Sequence, residues 1–172
     1  LLAKKPNLRV LSLGDLVEDG SAVELRGIEG GLLVEDRDRV PLDEAAWKVV
    51  TRRAPSDAEL NALRFAFRAV RGVVSNGIVV TGADATYGIG GGRTSRVDAC
   101  RDAIAKAGSR ARGAVAASDA FFPFPDGLEV LLDAGVTAVV QPGGSVKDAE
   151  VIATADARDI AMVTTGRRHF RH

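Results

Sequence analysis

Two arginines follow a glycine-rich run in the middle of the chain. The run is Gly88-Ile89-Gly90-Gly91-Gly92, and Arg93 and Arg96 lie where a helix is predicted to begin. Glycines let a backbone approach an anion closely, and the start of a helix has free amides. The run matches neither the dinucleotide-binding fingerprint nor the Walker A loop. It therefore indicates either an anion-binding turn or a flexible turn with surface arginines.

The segment Ser118 to Asp126, with the sequence SDAFFPFPD, combines three phenylalanines with two prolines and an aspartate near each end. The prolines forbid regular helix through the segment. An apolar wall flanked by carboxylates suits a flat heterocycle with polar edges. The alternative is a core-filling loop whose aspartates cap neighbouring turns.

Two further segments have the composition of ligand-binding turns. Residues 141–145 (QPGGS) follow a predicted strand, where open α/β sheets bind ligands, although a plain turn with Ser145 as helix N-cap fits equally well. The basic end, residues 166–172 (GRRHFRH), is either a solvated tail or a docked tail whose arginines bind a phosphate. His169 and His172 are three residues apart, but two histidines, with the one cysteine elsewhere in the chain, do not indicate a zinc site.

Strand and helix patterns alternate after Pro55. Ser56 and Glu59 have capping-box spacing, which predicts a helix to about Arg71. Further helices are predicted over residues 96–107, 128–134 and 147–157. Strands are predicted over residues 77–80, 114–117, 136–141 and 160–164, with a short strand entering the glycine run. The pattern predicts a layered α/β domain with a mixed sheet.

Residues before Pro55 lack this alternation. Strand patterns occur at residues 8–13, 22–28, 31–34 and 47–51 without intervening helices. We therefore divide the chain into residues 1–55 and residues 56–172. The absence of an initiator methionine leads us to expect that the chain begins inside a longer protein.

Composition argues against several classes of partner. Lys+Arg and Asp+Glu are 23 each, so no net charge attracts nucleic acid or a membrane surface. No apolar run approaches the length of a membrane span. The single cysteine, Cys100, cannot form an internal disulfide, which is typical of a cytoplasmic protein.

Over residues 56–172 the chain resembles the C-terminal half of the AICAR transformylase region of the bifunctional AICAR transformylase/IMP cyclohydrolase family of purine biosynthesis. The matching segments, in order, are Ser75-Asn76, Gly88 to Arg96, Ser118 to Asp126, Pro142 to Ser145 and the ending TGRRHFRH. The run SDAFFPFPDG followed by PGGS and RHFRH is specific. Residues 1–55 resemble the end of the preceding transformylase subdomain.

The resemblance implies a three-layer α/β/α, cytidine-deaminase-like subdomain without zinc chemistry. It also implies formyl transfer from 10-formyltetrahydrofolate to AICAR, giving FAICAR. The family works as a homodimer with active sites at the subunit interface.

The resemblance also assigns roles to individual residues. Asn76 would orient the reacting carboxamide or the formyl oxygen, and Arg96 would bind an anionic or carbonyl group beside it. Asp126 would pair with the pterin edge, and Arg168 would hold the AICAR phosphate with Phe170 packed nearby. The remaining assignments are a folate and AICAR pocket lined by Phe121, Pro123 and Phe124, and a monovalent cation such as potassium near Ser75 and Asp119.

Two groups of the family have no match in this sequence: the Lys-His pair of the first transformylase subdomain and the IMP cyclohydrolase domain. We therefore expect this chain to be inactive alone. The alternative is a non-catalytic nucleotide- and folate-binding module. A deaminase-like hydrolase is excluded because it needs a His/Cys/Cys zinc set.

Overall fold

The computed structural model describes residues 7–12, 23–38 and 41–172. Within it the chain divides into two compact units, Leu1–Arg39 and Val40–His172. Among the described residues, no helix has both the length and the apolar character that crossing a bilayer requires.

The first unit contains an antiparallel hairpin of strands β1 (Val23–Ile28) and β2 (Gly31–Asp36). The strands are joined through Gly30, whose φ of 83° is easily adopted by glycine. On one face the guanidinium of Arg26 lies between the carboxylates of Glu24 and Glu35, at 3.3 and 3.0 Å. Residues 8–12 form no strand, unlike the alternation predicted there, and Leu13 lies outside the described residues.

The second unit contains a six-stranded mixed sheet in the order β3-β8-β7-β6-β4-β5. Strands β6, β7 and β8 are parallel, and the remaining pairs are antiparallel. The elements are β3 (Lys48–Val49), α1 (Asp57–Val70), β4 (Ile78–Thr81), β5 (Thr86–Gly90), α2 (Arg96–Ala107), β6 (Val115–Ser118), α3 (Pro125–Asp133), β7 (Ala138–Gln141), α4 (Asp148–Ala157) and β8 (Ala161–Thr164).

The sheet lies between two helical layers, because alternate residues of its strands face opposite sides. Helix α1 packs on one face, where Leu63 and Phe67 meet Val79 and Val140. Helices α2, α3 and α4 cover the other face in a larger core. The central strands are buried on both faces, which explains their continuous apolar sequences. The predicted three-layer α/β fold with a mixed sheet is confirmed.

Helix α1 begins with the predicted capping box. The Ser56 hydroxyl accepts from the amide of Glu59 at 3.2 Å, and the Glu59 carboxylate accepts from the amide of Ser56 at 2.8 Å. Arg53 adds a bidentate pair to Glu59 at 2.8 and 2.9 Å and also donates to the carbonyls of Thr137 and Asp159. One arginine therefore joins the helix start to the loops before β7 and β8.

Helix α2 lies unusually close to strand β5. A Cβ atom placed on Gly88 would come within 1.9 Å of the Ala103 carbonyl oxygen, and one on Gly90 within 1.9 Å of the Ala99 oxygen. These two glycines are needed because a helix packs directly against their backbone. This packing accounts for both glycines without a ligand, and an anion-binding role of the run stays a prediction.

The structure divides the chain at a different point from the boundary drawn near Pro55. Strand β3 pairs with β8, and the ring of Trp47 packs edge-on against Phe67 at 5.6 Å. Residues 41–55 thus pack with the second unit, because a two-residue strand and one aromatic ring complete its sheet and its α1 face. The assignment of the earlier residues to a preceding transformylase subdomain stays a prediction.

Candidate active site

The last residues of the chain run across one edge of the sheet, where β6, β7 and β8 end and β4 begins. The amide of Thr165 donates to Gln141 at 2.9 Å, that of His169 donates to Asp119 at 2.8 Å, and the Arg171 carbonyl accepts from Ser75 at 2.8 Å. The tail therefore contacts the ends of three strands in succession. This is the docked alternative for the basic terminus, and it carries Arg168 and Phe170 to the sheet edge.

A cavity of about 440 Å³ opens at this edge. It brings together all eight side chains assigned to catalysis and substrate binding from the sequence. It is lined by Asn76, Thr94, Ser95, Arg96, Val97, Ala120, Phe121, Pro123, Phe124, Asp126, Arg168 and Phe170. Ligand sites of α/β sheets occur at this edge.

Arg96 is the centre of a buried polar cluster beside the cavity. Only 7% of Arg96 is exposed. Its Nη1 donates to the Ser118 hydroxyl at 2.7 Å and to Oδ1 of Asp119 at 2.6 Å, and its Nη2 donates to Oδ1 of Asn76 at 2.8 Å. Burial of the guanidinium is compensated by this carboxylate and these oxygens.

The amide of Asn76 has a defined orientation within this cluster. Its Oδ1 accepts from Arg96, and its Nδ2 donates to the carbonyl of Arg93 at 2.8 Å. Among the residues that the structure describes, none accepts the second hydrogen on Nδ2. Because Asn76 lines the cavity, its amide offers a donor of the kind that a carbonyl oxygen accepts. The side chain of Arg93 pairs instead with Asp102 at 2.5 Å.

The aromatic segment after β6 divides between core and cavity. Phe122 is fully buried, and its amide donates to the side chain of Gln141 at 3.2 Å. Phe121 and Phe124 line the cavity, and Phe124 is 56% exposed. One ring of the segment therefore fills the core while its neighbours line the cavity, and the binding of a flat heterocycle against them stays a prediction. Asp126 lies in the first turn of α3, with Oδ1 accepting from the Gly127 amide at 2.7 Å.

Arg168 and Phe170 form the other side of the cavity. The guanidinium of Arg168 lies 5.0 Å from the centre of the Phe170 ring, a cation–π arrangement. Arg168 is exposed, so its donors are available to a phosphate. The cavity thus has a positive group at the tail and a carboxylate, Asp126, at the start of α3.

Ser75 and Asp119, which the resemblance places near a monovalent cation, lie together under the tail. The Ser75 hydroxyl donates to Oδ2 of Asp119 at 2.5 Å, while Oδ1 pairs with Arg96. Both carboxylate oxygens are therefore engaged and the charge is balanced by Arg96. The assignment of a monovalent cation near these two side chains stays a prediction.

A larger cavity, about 780 Å³, lies beside the first, and Arg168 lines both. Its walls include Trp47, Arg167 and the turn Pro142-Gly143-Gly144. The turn is therefore placed at a sheet edge as predicted, but around a different cavity from the eight assigned residues. Ser145 is not the N-cap of α4; its hydroxyl accepts from the Lys147 amide within the turn at 3.1 Å.

Sequence reasoning did not single out Ser118 as a functional residue. It is the first letter of SDAFFPFPD and ends strand β6, fully buried, against Arg96. The motif marked the segment but gave no signal for which member faces the arginine.

The three-layer α/β fold thus places two arginines, an amide and an aromatic wall around one cavity. A profile described as the AICARFT/IMPCHase bienzyme matches residues 1–106. The chain belongs to that family.

The curated relatives agree with this membership. The chain is 54% identical to the bifunctional purine biosynthesis protein PurH of Chloroflexus aurantiacus and 51% identical to that of Streptococcus thermophilus. Each match covers 100% of this chain and 34% of the relative. The chain therefore spans about a third of the length of these proteins. A solved structure, Acinetobacter baumannii RibD, aligns with 62% of this chain and 35% of its own at a TM-score of 0.42 and 19% identity.

Proposed function

We propose that this chain forms one side of the formyl-transfer site of a longer bifunctional enzyme of purine biosynthesis. The reaction is formyl transfer from 10-formyltetrahydrofolate to the 5-amino group of AICAR. The observation that supports this most strongly is the convergence of all eight assigned side chains on one cavity. The membership of the family and the names of the relatives support the same role.

In this proposal the aromatic wall and the charged groups on either side of it, Asp126 and Arg168, bind different parts of the two substrates. Phe121, Pro123 and Phe124 pack on the flat rings, and Asp126 accepts from the N–H groups of the pterin edge. Arg168 binds the AICAR phosphate through charge-assisted hydrogen bonds. Holding both substrates at fixed positions lowers the entropic cost of their reaction.

The chemistry itself moves a formyl group between two nitrogens. The amine of AICAR attacks the formyl carbon, the bond from that carbon to N10 of the folate breaks, and the proton lost by the amine is balanced by one gained at N10. During attack the formyl oxygen becomes negative, and N–H donors of Asn76 and Arg96 stabilise it. The general base is the family's Lys-His pair, for which this chain has no matching residues.

We infer that the complete enzyme is a cytoplasmic homodimer whose interface completes the site. The 45% exposed Phe170 and the 56% exposed Phe124 leave aromatic surface at the cavity for a second contributor. No step of this mechanism uses a potassium ion, because Asp119 already accepts from Ser75 through one carboxylate oxygen and from Arg96 through the other.

Folate binding tests the proposal most directly. Asp126→Asn should weaken binding of 10-formylfolate, a stable analogue, by roughly tenfold in calorimetry on the full-length enzyme, because a bidentate charged acceptor is lost. Glu129→Gln, on the same helix but outside the cavity, is the matched control. Equal affinities for both variants would contradict the proposal.

The alternative, a non-catalytic binding module, differs in turnover rather than in affinity. Under the enzyme proposal Asn76→Ala lowers kcat of the full-length protein by about 10²-fold, the typical loss for one oxyanion donor. Under the module hypothesis the parent protein binds both ligands without releasing tetrahydrofolate.

A further inference from the structure

Two acceptors bind the same nitrogen, Nη1, of the Arg96 guanidinium. Both hydrogens of Nη1 are used, one by the Ser118 hydroxyl at 2.7 Å and one by Asp119 at 2.6 Å. Nη2 gives one hydrogen to Asn76 at 2.8 Å. Among the residues that the structure describes, no partner takes the second Nη2 hydrogen or the Nε hydrogen. Those two donors remain for a ligand in the cavity that Arg96 lines.

The hydroxyl of Ser118 has a fixed direction. Ser118 is fully buried, and its only hydrogen is donated to the carbonyl of Ala120 at 2.6 Å. A hydroxyl has one donor and two acceptor sites, so the oxygen can offer only a lone pair to Arg96. Since Ala120 precedes Phe121 and itself lines the cavity, Ser118 links the guanidinium to the turn that carries the aromatic wall.

We propose that Ser118 is a positioning residue for this site, acting through Arg96. Without Ser118 the guanidinium would keep one acceptor on each terminal nitrogen, Asp119 on Nη1 and Asn76 on Nη2, and the Asn76 amide is itself a group that must be positioned. Ser118 adds a second acceptor on Nη1 from the buried end of β6, which fixes the guanidinium and, through it, the amide of Asn76 beside the cavity. The inference rests on the proposed function, because it supposes that Arg96 donates to the reacting oxygen.

A double-mutant cycle on the full-length enzyme tests the coupling. Ser118→Ala should lower kcat/KM for formyl transfer by roughly tenfold, because displacing a donor by a fraction of an ångström is costly in a reaction that depends on alignment. In the Arg96→Lys background the same change should cost less than about twofold, since an ammonium has no planar fork to orient. Equal losses in both backgrounds indicate a general structural role and would overturn the inference.

Two controls separate positioning from folding. Thr81→Val removes another fully buried hydroxyl of the same sheet. Thr81 lies at the end of β4 away from Ile78, the residue that pairs with Ser118, so turnover should be unchanged. If Ser118→Ala does not fold, as judged by thermal unfolding, Ser118→Cys keeps a similar volume with a weak acceptor and serves in the same cycle.

The cycle also separates this inference from the proposed function. If Arg96→Lys alone leaves kcat/KM unchanged, Arg96 takes no part in the reaction and both proposals fail. If Arg96→Lys lowers kcat/KM at least tenfold while the two changes are additive, the site assignment stands and the role of Ser118 is refuted.

Discussion

Arg168 is the residue on which the proposed phosphate site depends. Its guanidinium lies over the Phe170 ring and faces the candidate cavity. In the full-length enzyme, Arg168→Ala should weaken AICAR binding by roughly 1.5–3 kcal/mol, the range for charge-assisted hydrogen bonds. Folate affinity should change less. Calorimetry with each ligand measures both effects.

The neighbouring arginine provides the control for this prediction. Arg167 lines only the larger cavity, so Arg167→Ala should leave AICAR affinity within about twofold of the parent. Unchanged AICAR affinity in Arg168→Ala would remove Arg168 from the site.

Cys100 should be unreactive in the folded chain. It is fully buried on α2, and burial raises the pKa of its thiol to about 12. Because the thiolate is the reactive form, Ellman's reagent at pH 8 should label the native chain negligibly over an hour and label it fully in guanidinium. Rapid labelling without denaturant would show that α2 opens readily.

At the level of single residues, the sequence predicted which side chains share a cavity but not which of their neighbours are buried. The eight residues came from a family resemblance rather than from spacing, and they do share one cavity. Burial decides the rest: Phe122 and Phe121 are adjacent and of one type, yet only Phe121 faces the cavity. Sequence gives no means of telling that Ser118 would contact a buried arginine 22 residues earlier.

The start of helix α1 carries a pH-dependent contribution to stability. The hydrogen bonds from Arg53 lower the pKa of Glu59 from its ordinary value near 4.5 to about 2. A carboxylate with a depressed pKa stabilises the fold above its unfolded pKa, and this contribution is lost as the pH falls from about 4.5 towards 2. Glu59→Gln should therefore reduce the free energy of unfolding by about 1–2 kcal/mol at pH 7.

Denaturant unfolding of parent and Glu59→Gln between pH 7 and pH 2.5 measures this contribution. The difference between the two proteins should shrink as the pH falls through that window. Asp57→Asn, which is exposed in the same helical turn and lies outside the Arg53 pair, is the control. A difference that is independent of pH would show that Glu59 acts through packing rather than charge.

At the level of elements, the prediction was good where local signals were strong. The capping box and the helical spacing located α1, and the helix predicted over residues 96–107 has the bounds of α2. Before Pro55 the strand patterns at residues 22–28, 31–34 and 47–51 match β1, β2 and β3, whereas residues 8–12 form no strand. The local pattern at residues 47–51 did not show that β3 pairs with β8, because that partner lies more than 100 residues later.

The whole chain should not catalyse formyl transfer alone. Its residues supply the proposed folate pocket, phosphate anchor and oxyanion donors, but none matches the family's general base. Loss of such a group costs about 10²–10⁴-fold in rate. When the isolated chain, of confirmed mass, is mixed with AICAR and 10-formyltetrahydrofolate, we expect no measurable release of tetrahydrofolate. The release is measured by absorbance.

Complementation extends this prediction. Addition of a separate chain that carries the Lys-His subdomain should restore part of the activity if the interface reassembles. Turnover of the isolated chain near that of a full-length relative would mean that a group within these 172 residues acts as the base.

The close approach of α2 to β5 determines which substitutions the glycines of β5 can tolerate. In a saturation library scored for folded protein, positions 88 and 90 should accept glycine alone, because even a methyl group would occupy the space of a helix carbonyl oxygen. Gly27 and Gly31, where an added carbon meets nothing within 4 Å, should tolerate many replacements. Some glycines of this chain would thus accept no replacement while others accept many, and the glycine content alone does not distinguish the two kinds.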